Sequence, residues 1–338
     1  MLRPRLSTPG SQEPCEDAWR ASSGTAAVLG LRTLAMDAAP TTAYLMLGSR
    51  CLRNCAFCAQ ARESSADASA LSRVLWPAFP REDVAAAVAA AHRAGDIRRA
   101  CFQVTVGRDS VAAAAHAARL LAGVSPVPIC VSVSPRDLAD VAGLLNAGAQ
   151  RVTIALDAAT EPIHRRAKSG SWAGSLALLE QAVDAFPGRI GTHLIAGLGE
   201  TERDLTLRIA ALLGWGVRVA LFAFTPVRGT AMENCPPPSL QSYRRVQAAH
   251  WLLAGGWTRA EALRFGAQGE IISYGLPEAT LVDLLAAGEA FRTSGCPDCN
   301  RPYYNERPGG LMYNYPRPLT TSEARRELAA LLATLRPH

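Results

Sequence analysis

Lysine is almost missing from this chain: of 35 lysine and arginine residues among 338, only Lys168 is a lysine. Arginine richness reads as coding bias, which leaves the position of that one lysine unexplained. Aromatic residues are few, at 6%, and no block of consecutive basic residues occurs. A formal charge of +6 without a concentrated basic patch or interleaved aromatics argues against nucleic-acid binding. No apolar run reaches the roughly 18–20 residues that a membrane span needs. The opening MLRPRLSTPGSQEPCEDAWR lacks the apolar core of a secretory signal. Nine cysteines, an odd number, suit reduced thiols or metal ligands better than a disulfide scaffold. A cytoplasmic protein with no membrane segment is expected.

What the chain does have is alternation. Residues 1–40 show no steady period and read as a loosely ordered extension with one short helix. From there short apolar runs alternate with Ala/Leu-rich amphipathic stretches. TAYLMLG (42–48), ACFQVTVG (100–107), PICVSVS (128–134), RVTIALD (151–157), RIGTHLIAGLGE (189–200) and VRVALFAFTP (217–226) read as strands, and EALRFGAQGE (261–270) as the start of a last one. Helical stretches lie between them. That order predicts parallel βαβ units with right-handed crossovers, closing wholly or partly into an α/β barrel of the TIM type. The expected organisation is an extension over 1–40, a barrel over 41–290 and a C-terminal tail over 291–338.

Directly after the first of these strands stands CLRNCAFCAQ (51–60), with Cys51, Cys55 and Cys58 spaced C-x3-C-x2-C. Thiolates are soft ligands that select zinc, copper(I) or iron–sulfur clusters. Structural zinc wants four ligands, usually as two C-x2-C pairs, whereas this loop offers three and stops. Three thiolates suit a 4Fe–4S cubane with one iron open. In a barrel, a loop leaving the C-terminal end of a strand lies where the chemistry sits.

The C-x3-C-x2-C spacing with Phe57 before its third cysteine resembles the radical S-adenosylmethionine (radical SAM) superfamily, over roughly residues 42–270. The resemblance implies a radical SAM (β/α) barrel in which the methionine end of S-adenosylmethionine chelates the open iron and is cleaved to a 5′-deoxyadenosyl radical. It also implies cofactor contacts. In HLIAGLGET, Ile195, Gly197 and Leu198 would pack the adenine, with Gly197 and Gly199 allowing close backbone approach; a plain strand-to-helix turn is the other reading. Asp157 in ALDAAT would contact ribose, although Ala155 stands where an Asn is frequent. FTPVRGT (224–230), preceded by Ala223, would line the adenine pocket. VTVGRD departs from the usual G-G-E-like segment, leaving Gly107 and the backbone near Thr105 for the methionyl amine. Lys168 would be a point charge for the methionyl carboxylate, or else a solvated loop lysine.

Within the superfamily, TTAYLMLGSRCLRNCAFCAQARESS is similar to biotin synthase and to the two-component lipoyl synthases. Biotin synthases hold a second cluster with three Cys and one Arg. Here Cys130 and, within a residue, Cys101 match, but the third position is Gly191, although Arg264 is retained. That set is broken, so Cys101 and Cys130 read as small strand hydrophobes. A replacement stands in GCPDCNRPYYNERPGG, where Cys296 and Cys299 form a C-x2-C in a Pro/Gly/Asn-rich loop. An auxiliary iron–sulfur cluster, structural zinc and no metal all remain open there, with Cys15 or Cys235 as further ligands. The tail resembles that of the two-component lipoyl synthases. This implies sulfur insertion into an octanoyl chain on a carrier protein (lipoyl domain or H-protein type), alongside a second related radical SAM protein and an external electron donor. An Arg-rich surface suits an acidic carrier. The alternatives are a biotin synthase variant using the tail cluster, and a non-catalytic, zinc-holding nucleic-acid protein.

Overall fold

The computed structural model describes residues 17–306 and 309–336. An eight-stranded sheet forms its centre. Its strands are β1 (Ala18–Ala21), β2 (Thr42–Leu47), β3 (Ala78–Pro80), β4 (Arg99–Val104), β5 (Ile129–Val133), β6 (Ala149–Ile154), β7 (Ile190–Ala196) and β8 (Arg218–Ala223). Their order across the sheet is β8-β7-β6-β5-β4-β2-β1-β3. Strands β2 and β4 to β8 pair in parallel. Helices connect successive parallel strands, among them Ser110–Val124, Leu138–Asn146, Trp172–Ala185 and Glu202–Gly214. These helices cover one face of the sheet and the cavity-lining side chains the other, so β2 is buried at all six positions, as expected of a strand covered on both faces.

The sheet does not close, which makes the architecture a partial TIM-like barrel. Two sequence expectations change with it. Within the extension, Ala18–Ala21 is a strand of the main sheet, antiparallel to both β2 and β3. Arg20 breaks the apolar run there, yet its guanidinium donates to the carbonyls of Gly48 and Ala68, so the position is compatible with burial. The expected last strand near 261–270 is instead half of a separate ribbon, Arg264–Phe265 with Ile271–Ser273. Gly269, at φ +82°, turns the chain back there, where a residue with a Cβ would be strained.

An open barrel leaves the outer edge of β8 without a neighbouring strand, and unpaired edge groups are costly when buried. The C-terminal tail covers that edge. Leu221 N donates to Ser294 Oγ (2.9 Å), Asn305 Nδ2 donates to Ala223 O (2.7 Å) and Arg301 Nη2 to Leu221 O (3.3 Å). At its other side the tail is tied to β2. Tyr44 Oη accepts from the backbone N–H of Asn300 (3.1 Å) and of Arg301 (2.8 Å). Further on, helix Thr321–Leu332 docks through the buried ion pair of Arg244 with Glu327 (2.9 Å). Replacing Tyr44 by Phe keeps the ring but strips one buried and one part-buried N–H group of their acceptor. Chemical denaturation should show a loss of about 1–3 kcal/mol, and a loss of a few tenths or less would mean that the tail is held elsewhere.

Candidate functional site

The cysteine loop is organised by its own chain. Arg50 alone donates to four carbonyls, those of Ala59, Ala61, Ser64 and Ala66. Ala56 N donates to Ala167 O and Leu52 N to Val106 O, each at 2.8 Å, tying the loop to the ends of neighbouring βα connections. Cys51 Sγ accepts from the backbone N–H of Val106 (3.3 Å) and of Arg53 (3.4 Å). Burial pushes Cys55 up and Cys58 up to about 12, and each feels the charge of Cys51. Among the described residues no three Cys, His, Asp or Glu side chains converge tightly enough for a metal ion as they stand. Three mutually interacting thiols on one preformed loop, with backbone donors on the first sulfur, nonetheless suit a polynuclear cluster, whose thiolates are spread over several irons.

Beside this loop the structure resolves the question of the lone lysine. Lys168 is buried and ion-paired with Asp157 at 2.6 Å, and its ammonium also donates to Ala155 O. The solvated-lysine reading is therefore corrected. Asp157 adopts φ +64°, a left-handed conformation that is uncommon outside glycine, and its backbone is fixed between His193 O and Ile195 N. The glycine expectation also changes. Gly197 and Gly199 do sit at positive φ, but a Cβ at Gly197 would strike Pro238 (2.7 Å) and one at Gly199 would strike Arg166 (2.3 Å). These close approaches are made by the chain's own side chains. Leu198 is buried with Phe57, Ile163 and Phe224 around it, Thr105 is bonded to Leu47 O, and Gly107 is exposed beside Arg53 and Lys168.

One cavity of about 150 Å³ runs inside the barrel. Cys58, Phe57, Asp157, Ile195 and Ala223 line it at the C-terminal ends of the strands, and Cys101, Cys130, Cys296 and Cys299 line it toward their N-terminal halves. Its size is below the usual 300–1,000 Å³ of ligand pockets, and Tyr304 of the tail is part of its lining, packed edge-on against Phe222 (5.5 Å between ring centroids). Tyr304 lies within electrostatic reach of both Cys58 and Cys101, and burial pushes its hydroxyl up. His193 is also in the wall, and burial pushes it down to about 4, so its imidazole is neutral at pH 7.

The second group of thiols departs from expectation. Cys101 and Cys130 are not merely strand hydrophobes, since Cys130 Sγ lies 3.3 Å from Cys296 Sγ. Cys130 donates its S–H and holds the Cys296 thiol well below the usual range, helped by Arg151 and Arg99. Cys299 Sγ is 3.5 Å from Tyr44 Oη. Cys235 is not drawn to this group: it packs near Met232 and Phe57 at the other end of the barrel. Cys15 lies outside the described residues, and Arg264 stands exposed on the separate ribbon. Sequence reasoning missed the convergence because the two sulfurs are 166 residues apart. The available signal was that Cys101 and Cys130 fall in consecutive parallel strands. Lys168→Met would leave the Asp157 carboxylate buried and alone. Urea denaturation should report a loss of about 3–5 kcal/mol, as for a broken buried pair, and the 0–1 kcal/mol of a surface pair would contradict this geometry.

Comparison with known proteins agrees with this geometry. The family model described as Radical SAM superfamily matches residues 45–208. No curated protein matches the chain. The FeFe-hydrogenase maturase HydG from Carboxydothermus hydrogenoformans is a structural neighbour at TM-score 0.52 and 17% identity, over 64% of this chain and 52% of that one. A second structure of HydG, described as a maturase of the [FeFe]-hydrogenase, aligns at TM-score 0.52 and 12% identity, over 63% of this chain and 50% of that one. The chain thus spans about half the length of these neighbours, and at such identities they speak for the fold alone. Family match, barrel and cysteine loop coincide: the stretch 45–208 that matches the Radical SAM superfamily model contains the cysteine loop and spans the partial barrel from within β2 through β7.

Proposed function

We propose that this protein inserts sulfur at an unactivated C–H carbon of a protein-bound octanoyl chain, as a lipoyl synthase component. The observation that carries this reading is the shared cavity, which has the radical SAM cysteine loop at one end and four further thiols at the other. Sulfur insertion needs both a hydrogen-abstracting centre and a sulfur source within reach of one carbon. Cys51, Cys55 and Cys58 would hold a 4Fe–4S cluster, which would supply the electron needed to cleave S-adenosylmethionine.

The chain's own residues do the rest. Phe57, Ile195, Phe222, Phe224 and Ala223 give the cavity apolar walls that suit an alkyl chain and exclude water, which protects a reactive intermediate from side reactions. His193, held neutral, adds no charge to that wall. The Lys168–Asp157 pair carries no net charge, so the region beside the loop is polar without being strongly charged. Tyr304 occupies the space between the two ends, and it also lines a groove of about 900 Å³ that opens outward past Trp76 and Arg228. An acyl chain entering by that groove must displace the Tyr304 ring. An octanoylated carrier domain as substrate, a second related radical SAM protein as partner and an external electron donor complete the proposal.

The test is anaerobic reconstitution with iron, sulfide and a reductant. With S-adenosylmethionine the wild-type chain should form 5′-deoxyadenosine, and Cys55→Ala should abolish it, because two thiolates hold a cubane poorly. With an octanoylated carrier peptide and the partner protein present, mass spectrometry should find added sulfur. Thiolation of dethiobiotin in place of the peptide would overturn the lipoyl reading in favour of a biotin synthase variant. Deoxyadenosine formation with neither substrate altered would overturn sulfur insertion.

A further inference from the structure

We infer that His193 and Tyr304 read the head of the substrate, the secondary amide that joins the octanoyl chain to its carrier lysine, and tell it from a thioester or a free carboxylate. This assignment rests on the sulfur-insertion reading and names the part of the substrate that the cavity recognises.

Alternation along a strand turns Gly191, His193 and Ile195 of β7 toward the cavity. Pairing holds His193 there: it is the register partner of Ala220 on β8, and its carbonyl accepts from Asp157 N (2.8 Å). Tyr304 comes from the tail. Its carbonyl accepts from Ser72 Oγ (2.8 Å), and the preceding Tyr303 adopts a left-handed backbone at φ +61°. Non-glycine residues in that region concentrate at functional sites. Phe222 of β8 is the common neighbour, with the His193 ring edge-on at 5.0 Å and the Tyr304 ring at 5.5 Å between centroids.

Among the described residues neither the imidazole nitrogens of His193 nor the Tyr304 hydroxyl has a hydrogen-bond partner. Buried polar side chains are nearly always paired, and here two unpaired ones meet the same phenylalanine in one cavity. A ligand that drives water from this space must replace the hydrogen bonds that water offers, or leave both groups stranded.

The chemistry of the pair selects the ligand. A neutral imidazole presents one N–H and one bare nitrogen, and a phenol donates or accepts. A secondary amide is the complement, with a carbonyl that accepts and an N–H that donates. A thioester or a carboxylate has no N–H to give. Arg301 lies over the same Phe222 ring at 3.9 Å, but its guanidinium is engaged by the carbonyls of Leu221 and Ser294. Position agrees with chemistry. Tyr304 borders both the cavity and the outer groove, whereas His193 borders the cavity alone. An acyl chain threaded from the groove keeps its amide on the groove side, because the carrier stays outside. The ring that moves to let the chain pass thus carries a hydroxyl that meets its amide.

The test is calorimetry on the full-length, anaerobically reconstituted protein without reductant, so that binding is read apart from turnover. The probes are a carrier peptide with Nε-octanoyl-lysine, the same peptide with an ether in place of the amide, free octanoate, and dethiobiotin, whose urea offers the same carbonyl and N–H. Wild type should favour the amide peptide over the ether by about tenfold or more. His193→Phe, which keeps a ring against Phe222, and Tyr304→Phe should each weaken the amide peptide by about fivefold to tenfold and leave the ether unchanged. His193→Gln, which keeps a donor and an acceptor, should recover part of the loss. Tyr304→Phe serves alone if the His193 variant does not fold. Equal weakening of amide and ether would reduce the pair to shape and overturn the inference while the octanoyl reading stands. Tighter binding of octanoate than of the amide peptide would overturn it too. Binding of neither peptide, or of dethiobiotin in their place, would overturn the octanoyl reading and this assignment with it, so the two failures are distinguishable.

Discussion

A parallel sheet that stops short of closing must cover its last edge, and this protein covers it with its own C-terminal tail. Ser294, Arg301 and Asn305 take the backbone groups of Leu221 and Ala223. The span from β8 to β2 is then bridged by Thr41, Thr42 and Tyr44, which bond Asp298, Asn300 and Arg301. Edge cover is a general need of sheets. Here its location decides more than stability. The segment that satisfies the edge contains both Cys296 and Cys299, so meeting the backbone's hydrogen-bonding demand delivers two thiols into the barrel.

The two ends of the cavity are then balanced in different ways. Near the C-terminal ends of the strands, charge is settled within the protein. Lys168 meets Asp157, and Arg50 spends its guanidinium on the carbonyls of the cysteine loop. That end is shaped before any cofactor arrives. At the floor the opposite holds, since several arginines face sulfur and no carboxylate. Burying cations costs several kcal/mol unless an anion answers, and at the floor the Cys296 thiol, held well below its usual range by Cys130, Arg151 and Arg99, is the group that answers them.

Legibility in the sequence followed the distance over which each feature is encoded. The first cysteine motif fits inside eight consecutive positions, 51–58, and the parallel strands were legible because burial on both faces makes them continuous apolar runs. Strand β1 was not, because Arg20 interrupts it and the carbonyls that make it tolerable belong to residues 48 and 68. The ribbon at 264–273 looked like a barrel strand because composition does not reveal a reversal set by backbone conformation at Gly269. Cys101 and Cys130 looked like packing residues because a strand cysteine and a small hydrophobe are alike until a distant sulfur comes into view. Lys168 was conspicuous as the lone lysine, but its partner, eleven positions earlier, depends on the left-handed turn at Asp157.

Placing thiols on both the strands and the tail has a thermodynamic consequence. Tail docking fixes Tyr304 between the two ends of the cavity, completes the β8 edge and brings Cys296 to Cys130. A group bound across strand and tail stabilises only the docked arrangement, so its binding free energy adds to docking by linkage. Conversely, weakening an anchor far from any sulfur, such as Arg244 on Glu327, weakens whatever the floor holds. The cavity is therefore not a vessel with a separate lid. Its closure, its contents and the fold of the last forty residues rise and fall together.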